Sequence, residues 1–353
     1  MPLAAPPRRF AVFALVLTLL LAACGGGQDA GGSTAPPDEP GATDPGDGGE
    51  ATIAPAGARS FYSTDVFGGQ VIRVDPDGGE VVEIAELDGP AYAMTAGGGA
   101  LWLGLDSGSV VRVDPADGTT ATIDTTVAES IFAMAHGEDG VWALHGAPGL
   151  GATVSRIDPA TATAVAPVTG AAGTAFFEIA TGEGSAWVVG SSPTMASTLY
   201  EIDPASGTLT DREVQMLIDS VAVGEGSVWL GGSIFPDGLN GVPGIGRFDP
   251  ASGTLATFEV TGEAGAITVG AGAIWAVAGV TPDGMVVYRI DPATNAVAAT
   301  IPIGPGDSGS VFVTTGAGFV WVATANDAWV IDPTDDSVAG AGDSPGSIGL
   351  FFP

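Results

Sequence analysis

Lysine is missing from this 353-residue chain, cysteine occurs once and histidine twice. Without lysine there is no Schiff-base chemistry. The single cysteine, Cys24, can form no intrachain disulfide, so packing alone must hold the fold. Positive charge is also scarce: 41 acids face nine arginines, a formal charge of −32 that makes nucleic acid and anionic surfaces poor partners for the body. Charged residues nevertheless make up only 14% of the chain against 45% hydrophobic ones, the balance of a globular protein and not of a disordered one.

Two of the arginines, Arg8 and Arg9, precede an apolar run from Phe10 to Leu21, too short for an ordinary membrane span but suited to a signal-peptide core. Leu21, Ala22, Ala23 and Cys24 then resemble the bacterial lipobox. That resemblance implies a signal peptide over 1–23, cleavage before Cys24, and acylation of its thiol and new amino terminus. Several acyl chains on one residue give stable anchoring. The expected address is therefore the cell membrane, lipid-anchored on the extracytoplasmic face. Removing 1–23 leaves 41 acids against seven arginines, a net of −34. Residues 24–58 are Gly, Pro, Ala and acid with almost no large apolar side chain, a composition that cannot pay for ordering and reads as a tether. As a flexible coil it spans on the order of 30 Å.

From residue 59 onward the chain repeats. An Asp-Pro pair follows a branched or aromatic residue seven times, with its aspartate at 75, 114, 158, 203, 249, 291 and 332. The intervals, between 39 and 46 residues, fit four-stranded propeller blades. Upstream of each pair stands a Gly-rich turn and then an aromatic: Trp102, Trp142, Trp187, Trp229, Trp275 and Trp321, with only Phe61 and Tyr62 in the first copy. In the sixth copy "AITVG", "AIWAVAG", "MVVYRIDP" and "AVAATIPIG" read as strands A, B, C and D, alternating between turn signals. The Asp-Pro residues suit C–D turns, in which Asp accepts from backbone amides and a following Gly or Asn takes the left-handed conformation. Tryptophan at one place in each blade suits packing between blades. Arg73, Arg112, Arg156, Arg247 and Arg289, two residues before the turn aspartates, are expected to pair with them locally.

The stretches "VYRIDPATNAVAATIPIG" (287–304) and "GSVFVTTGAGFVWVATANDAWVIDP" (309–333) resemble the YVTN repeat of YncE-like seven-bladed β-propellers. The expected fold is thus all-β: a seven-bladed β-propeller over 59–353 with four-stranded blades. The first copy has no strand A of its own, and the closing "SIGLFFP" (347–353) aligns with the start of another blade. That C-terminal strand is expected to join the first blade and close the ring. Relatives of such propellers include binding proteins, lactonases and the streptogramin lyase, so the resemblance is specific for fold and not for activity.

The chemical inventory is small. The B–C and D–A connections share one face, and the B–C loops lengthen in blades 3 to 6, over 145–152, 190–197, 232–244 and 279–284. A protein or small-molecule ligand is expected over that half of the mouth. His136 falls at the end of strand A in blade 3, in a turn on the far face, and reads as solvated, whereas His145 opens a mouth loop and is a catalytic candidate beside Glu178, a carboxylate amid apolar neighbours on strand A. Glu129, Asp219, Asp237 and Asn240 are the ligand-binding candidates. Glu178 and Asp219 are metal candidates, since clustered oxygens suit calcium or magnesium. The lyase resemblance implies paired histidines with a glutamate and magnesium, and this chain has one mouth histidine. The functional expectation is a monomeric, non-enzymatic binding or protein-interaction module, with a metal-dependent lactonase or lyase as the alternative.

Overall fold

A computed structural model describes residues 60–64, 69–75, 80–192, 195–238, 240–280, 284–304, 311–324 and 327–343. All its regular elements are strands, in seven antiparallel sheets. Blade 1 holds β1 (Phe61–Thr64), β2 (Gln70–Asp75) and β3 (Glu80–Glu86). Blade 2 holds β4 (Ala91–Gly97), β5 (Ala100–Leu105), β6 (Val110–Val113) and β7 (Thr120–Ile123). Blade 3 follows with β8 (Ile131–Gly137), β9 (Gly140–His145), β10 (Thr153–Asp158) and β11 (Thr163–Thr169). Blade 4 has β12 (Ala175–Gly182), β13 (Ser185–Ser192), β14 (Met195–Ile202) and β15 (Leu209–Arg212). Blade 5 has β16 (Met216–Gly224), β17 (Ser227–Ile234), β18 (Val242–Asp249) and β19 (Thr254–Glu259). Blade 6 has β20 (Glu263–Gly270), β21 (Ala273–Val280), β22 (Gly284–Asp291) and β23 (Ala296–Gly304). Blade 7 ends the series with β24 (Phe312–Gly316), β25 (Phe319–Ala323), β26 (Asp327–Ile331) and β27 (Val338–Asp343).

Within each blade the strands pair in chain order, and from β4 to β24 the A strands lie side by side in sequence. The chain is a seven-bladed β-propeller. Its apolar core is divided into seven clusters, one for each seam between neighbouring blades. This follows from the period of a strand, whose alternate side chains serve opposite faces of the sheet. On β9, Val141 and Ala143 pack toward blade 2, while Trp142 and Leu144 pack toward blade 4. Both faces of strand B are therefore buried, which explains runs such as Ala100–Leu105 with no exposed residue.

Each seam receives the aromatic from the same position on one strand B. Trp102, Trp142, Trp187, Trp229 and Trp275 fill the seams from 2–3 to 6–7, and Trp321 meets Phe61 at 5.4 Å between ring centroids, joining blade 7 to blade 1. In the first copy Tyr62 takes the tryptophan's place, facing Arg73 across the ladder as Trp102 faces Arg112. The indole N–H of Trp102, Trp187, Trp229, Trp275 and Trp321 donates to the glycine carbonyl five residues earlier, so a buried polar tip is satisfied inside the hairpin it packs.

The Asp-Pro turns form as their chemistry predicts. Asp114, Asp158, Asp203, Asp249, Asp291 and Asp332 accept from the amide two residues on, at 2.7 to 2.9 Å. Asn295 adopts φ of 58° in the same kind of turn where Gly253 adopts 70°. Three of the arginines, however, do not chiefly serve their own aspartates. Arg156 Nη1 donates to the Pro204 carbonyl at 2.7 Å, Arg247 Nη1 to the Pro292 carbonyl at 2.7 Å and to Asn295 Oδ1 at 3.2 Å, and Arg289 pairs with Asp336 at 3.0 Å. Each of these acceptors lies in the next blade's C–D turn. The guanidinium is long enough to cross a seam, and the aspartate is already engaged by amides. Stacking over Trp102, Trp142 and Trp229, at 5.3 to 5.9 Å, holds Arg112, Arg156 and Arg247 in line.

The expected long mouth loops are only partly loops. In blade 4 the B and C strands stay paired to Ser192↔Met195, and in blade 6 to Val280↔Gly284. True connections remain in blade 3 (146–152) and blade 5 (235–241). Blade 1 has three strands among the described residues. The segment 347–353, expected as its inner strand, lies outside them, as do the residues expected to form a signal peptide (1–23) and a tether (24–58). Truncation before residue 347 is expected to give an aggregating protein; cooperative melting of that form at the full-length temperature would contradict the assignment. Arg247→Met should lower stability by about 1–3 kcal/mol by thermal or chemical unfolding, because it removes charge-assisted bonds to the neighbouring blade.

Candidate functional site

The mouth takes its shape from β-bulges. In blades 2 to 6 the A–B register slips by one residue near the start of strand A, which makes Tyr92, Phe132, Phe177, Asp219 and Gly265 the bulged residues. One position on a repeated frame thus carries three half-buried aromatics, an exposed acid and a glycine. Beside it the blade 3 loop is fastened to blade 4: Gly149 N donates to the Phe176 carbonyl at 2.9 Å, and Phe176 N to the Gly151 carbonyl at 2.7 Å. The fastened loop leaves Leu150 79% exposed, a fixed apolar knob on the mouth.

Glu178 and Asp219 are brought together. Glu178 follows the bulge of β12, and its Oε2 accepts from Val221 N of β16 at 3.1 Å, across the seam between blades 4 and 5. Burial within the ring, opposed by the Val221 hydrogen bond and reinforced by the Asp219 charge, pushes its pKa up to about 8.

The other predicted residues are elsewhere. Asp237 and Asn240 bond to each other in the blade 5 loop, with Asn240 N to Asp237 Oδ1 at 2.7 Å and Asn240 Nδ2 to Asp237 Oδ2 at 2.5 Å. Glu129 lies in the connection before blade 3, its side chain exposed. Its carbonyl, not its carboxylate, meets His145 Nδ1, at 3.1 Å. Among the described residues no three His, Cys, Asp or Glu side chains are grouped so as to hold a metal ion.

His136 stands at the end of strand A, as expected, one residue before the close of β8, but it is half-buried rather than solvated. It lies over blade 2, so close that a Cβ at Gly97 would stand 2.2 Å from its Nδ1. Thr181, Val223, Val269 and Thr315 cover Gly137, Gly182, Gly224 and Gly270 in the same way, one seam after another. His145 is fully buried at the end of β9. A carbonyl only accepts, so Nδ1 carries the proton and Nε2 is the bare nitrogen, buried without a partner among the described residues. Burial holds both imidazoles below their ordinary pKa, in His145 against the Glu129 carbonyl bond and charge. A depressed histidine contributes stability above the unfolded value of 6.5 and loses it as pH falls below.

Comparison of blades explains His145. In blade 4 the corresponding residue is Gly190, and Tyr200 on the facing strand fills the space; a Cβ at Gly190 would stand 3.0 Å from Tyr200 Cε2. In blade 6 the corresponding residue is Ala278, which shares a core cluster with Tyr288, and the Tyr288 hydroxyl donates to the Thr261 carbonyl at 2.6 Å. Blade 3 reverses the sizes, with Ser155 in the tyrosine's place and His145 in the glycine's. The imidazole thus fills the seam as the tyrosines do and, like Tyr288, bonds a carbonyl in the connection from the preceding blade, whereas Tyr200 bonds the Ser191 carbonyl of its own blade. No single repeat reveals this exchange; aligning the blades against each other does.

A cavity of about 370 Å³ opens on the opposite face, between blades 3 and 4, with Glu138, Asp139, Trp142, Thr181 and Glu183 in its walls. It is the gap between two A–B turns.

No family model matches the chain, and no curated protein matches it in sequence. Among solved structures it is similar to "Dihydro-heme d1 dehydrogenase NirN in complex with DHE", with 14% identity and a TM-score of 0.51 over 85% of this chain and 75% of that one. Such matches number 1245 chains, so the likeness specifies the propeller fold and carries no chemistry.

His145→Gly and Ser155→Tyr should each destabilise the protein by about 2–4 kcal/mol, by emptying or overfilling the seam. Together they import the blade 4 arrangement and should restore most of the melting temperature. A double variant no better than the worse single one would refute the exchange.

Proposed function

We propose that this chain is an extracytoplasmic propeller lipoprotein, YncE-like in its repeats, tethered through Cys24 and working as a non-enzymatic binding or protein-interaction module. The tether rests on "LAAC" (21–24) and on the composition of residues 24–58. The observation that carries the binding role is the difference between the two faces. On the side of the A–B and C–D turns, repeated positions are used up by the propeller itself, in Asp turns and seam bonds. On the mouth, one bulge position carries Tyr92, Phe132, Phe177, Asp219 and Gly265 in turn, beside the exposed Leu150. A uniform frame with a varied rim is how a rigid scaffold presents specificity. The ligand contacts belong over blades 3 to 6, at Glu129, Asp219 and the blade 5 loop with Asp237 and Asn240. The acid of that rim suits a ligand or protein patch that brings positive charge or hydrogen-bond donors.

Cys24→Ser should abolish both membrane fractionation and metabolic labelling by fatty acid; retained labelling would overturn the tether. For the mouth, Leu150→Ala with Asp219→Ala should weaken a cross-linked envelope partner at least about tenfold. Ala substitution at Asp249 and Ser252 on the turn face should leave that partner unchanged. The reverse pattern would place the interaction on the wrong face.

A further inference from the structure

The seams are not joined alike. Between blades 3 and 4 and between blades 5 and 6 an arginine reaches the next blade's proline carbonyl, and between blades 6 and 7 an arginine meets Asp336. A guanidinium stays charged at any pH the protein meets. In blade 4 that position holds Glu201, which turns inward to Arg212 and Ser185 of its own blade. The seam between blades 4 and 5 is built instead from acceptors on blade 4 bonding backbone amides of blade 5. Glu178 takes Val221 N at 3.1 Å, Ser197 Oγ takes Ile218 N at 2.9 Å, and Glu183 takes Gly226 N at 3.0 Å.

We propose that this seam is the proton-responsive joint of the ring, closed while Glu178 is protonated and loosened when it ionises. Protonated Glu178 can receive the Val221 amide without placing a second negative charge beside Asp219. Ionised, it still attracts the Val221 amide, but the cost of burying the charge and the repulsion from Asp219 outweigh that bond, so it gains hydration by swinging into the channel, which frees the Val221 amide. Of the elements packed on β12, β16 brings Asp219, β8 brings His136, β9 brings His145, and β13 carries no titratable side chain. No cation among these holds the carboxylate ionised in place. The raised pKa of Glu178 is the same statement in titration. A carboxyl whose folded value lies above its unfolded one contributes stability that is complete below the unfolded 4.5 and is lost as pH rises to about 8. The joint thus acts in the range an envelope protein encounters, directly under the bulge that places Asp219 on the mouth.

Amide hydrogen exchange of the intact mature chain tests this, with protection factors corrected for intrinsic rates. Between about pH 5 and about pH 8, protection at Val221 should fall at least tenfold, while the A strand of blade 6 (263–270) stays level. Glu178→Gln keeps an acceptor but cannot ionise, and should remove the pH dependence. If that variant does not fold, Asp219→Asn serves, and should move the loss of protection to lower opening at every pH above 5. A flat profile in the wild type, an equal fall in blade 6, or an unchanged fall in both variants would overturn the proposal.

Discussion

Everything in this structure depends on contacts that one blade makes with the next. A single four-stranded sheet has two apolar faces and no way to bury either, so each of the seven clusters is shared by neighbours and none belongs to one blade. The polar bonds obey the same rule. Arg156 and Arg247 end on the carbonyl of the following Asp-Pro turn, Thr181 bonds the His136 carbonyl of the preceding blade at 2.8 Å, and Glu178 bonds the amide of the following one. With one cysteine in the chain, no covalent cross-link shares this task.

That constraint separates what a linear sequence reveals from what it conceals. Strand order and blade boundaries were legible because they rest on local chemistry: the Gly-rich turn, the alternating apolar residues, the Asp turn. The sixth blade runs as read, with β22 over Gly284–Asp291 and β23 over Ala296–Gly304. The destination of Arg247 was not legible, since it crosses 45 residues to Pro292, and spacing within a repeat points to the aspartate two residues away. The lengths of the blade 4 and blade 6 hairpins were misread for a related reason: Ser and Gly near a turn signal a loop, yet a neighbouring strand can keep them paired.

The site shows the same division. Glu178 stood out as a carboxylate between Phe177 and Ile179, and the structure puts it beside Asp219 as a seam bond. His145 stood out as a rare residue at a mouth loop, and its burial assigns it to packing. The bulges that place Tyr92, Phe132, Phe177 and Asp219 on the rim leave no mark in composition, because a bulge is one residue in one strand and is visible only against its partner. What varies from blade to blade is therefore the best guide to what the mouth does, and what repeats is the guide to why it stays rigid.

The central claim is that the seams make one body of seven repeats. Calorimetry of the propeller, residues 59–353, tests it most directly. If stability resides in shared seams, the ring melts in a single transition whose van't Hoff and calorimetric enthalpies agree. Two or more resolved transitions, with blades melting in separate groups, would contradict it.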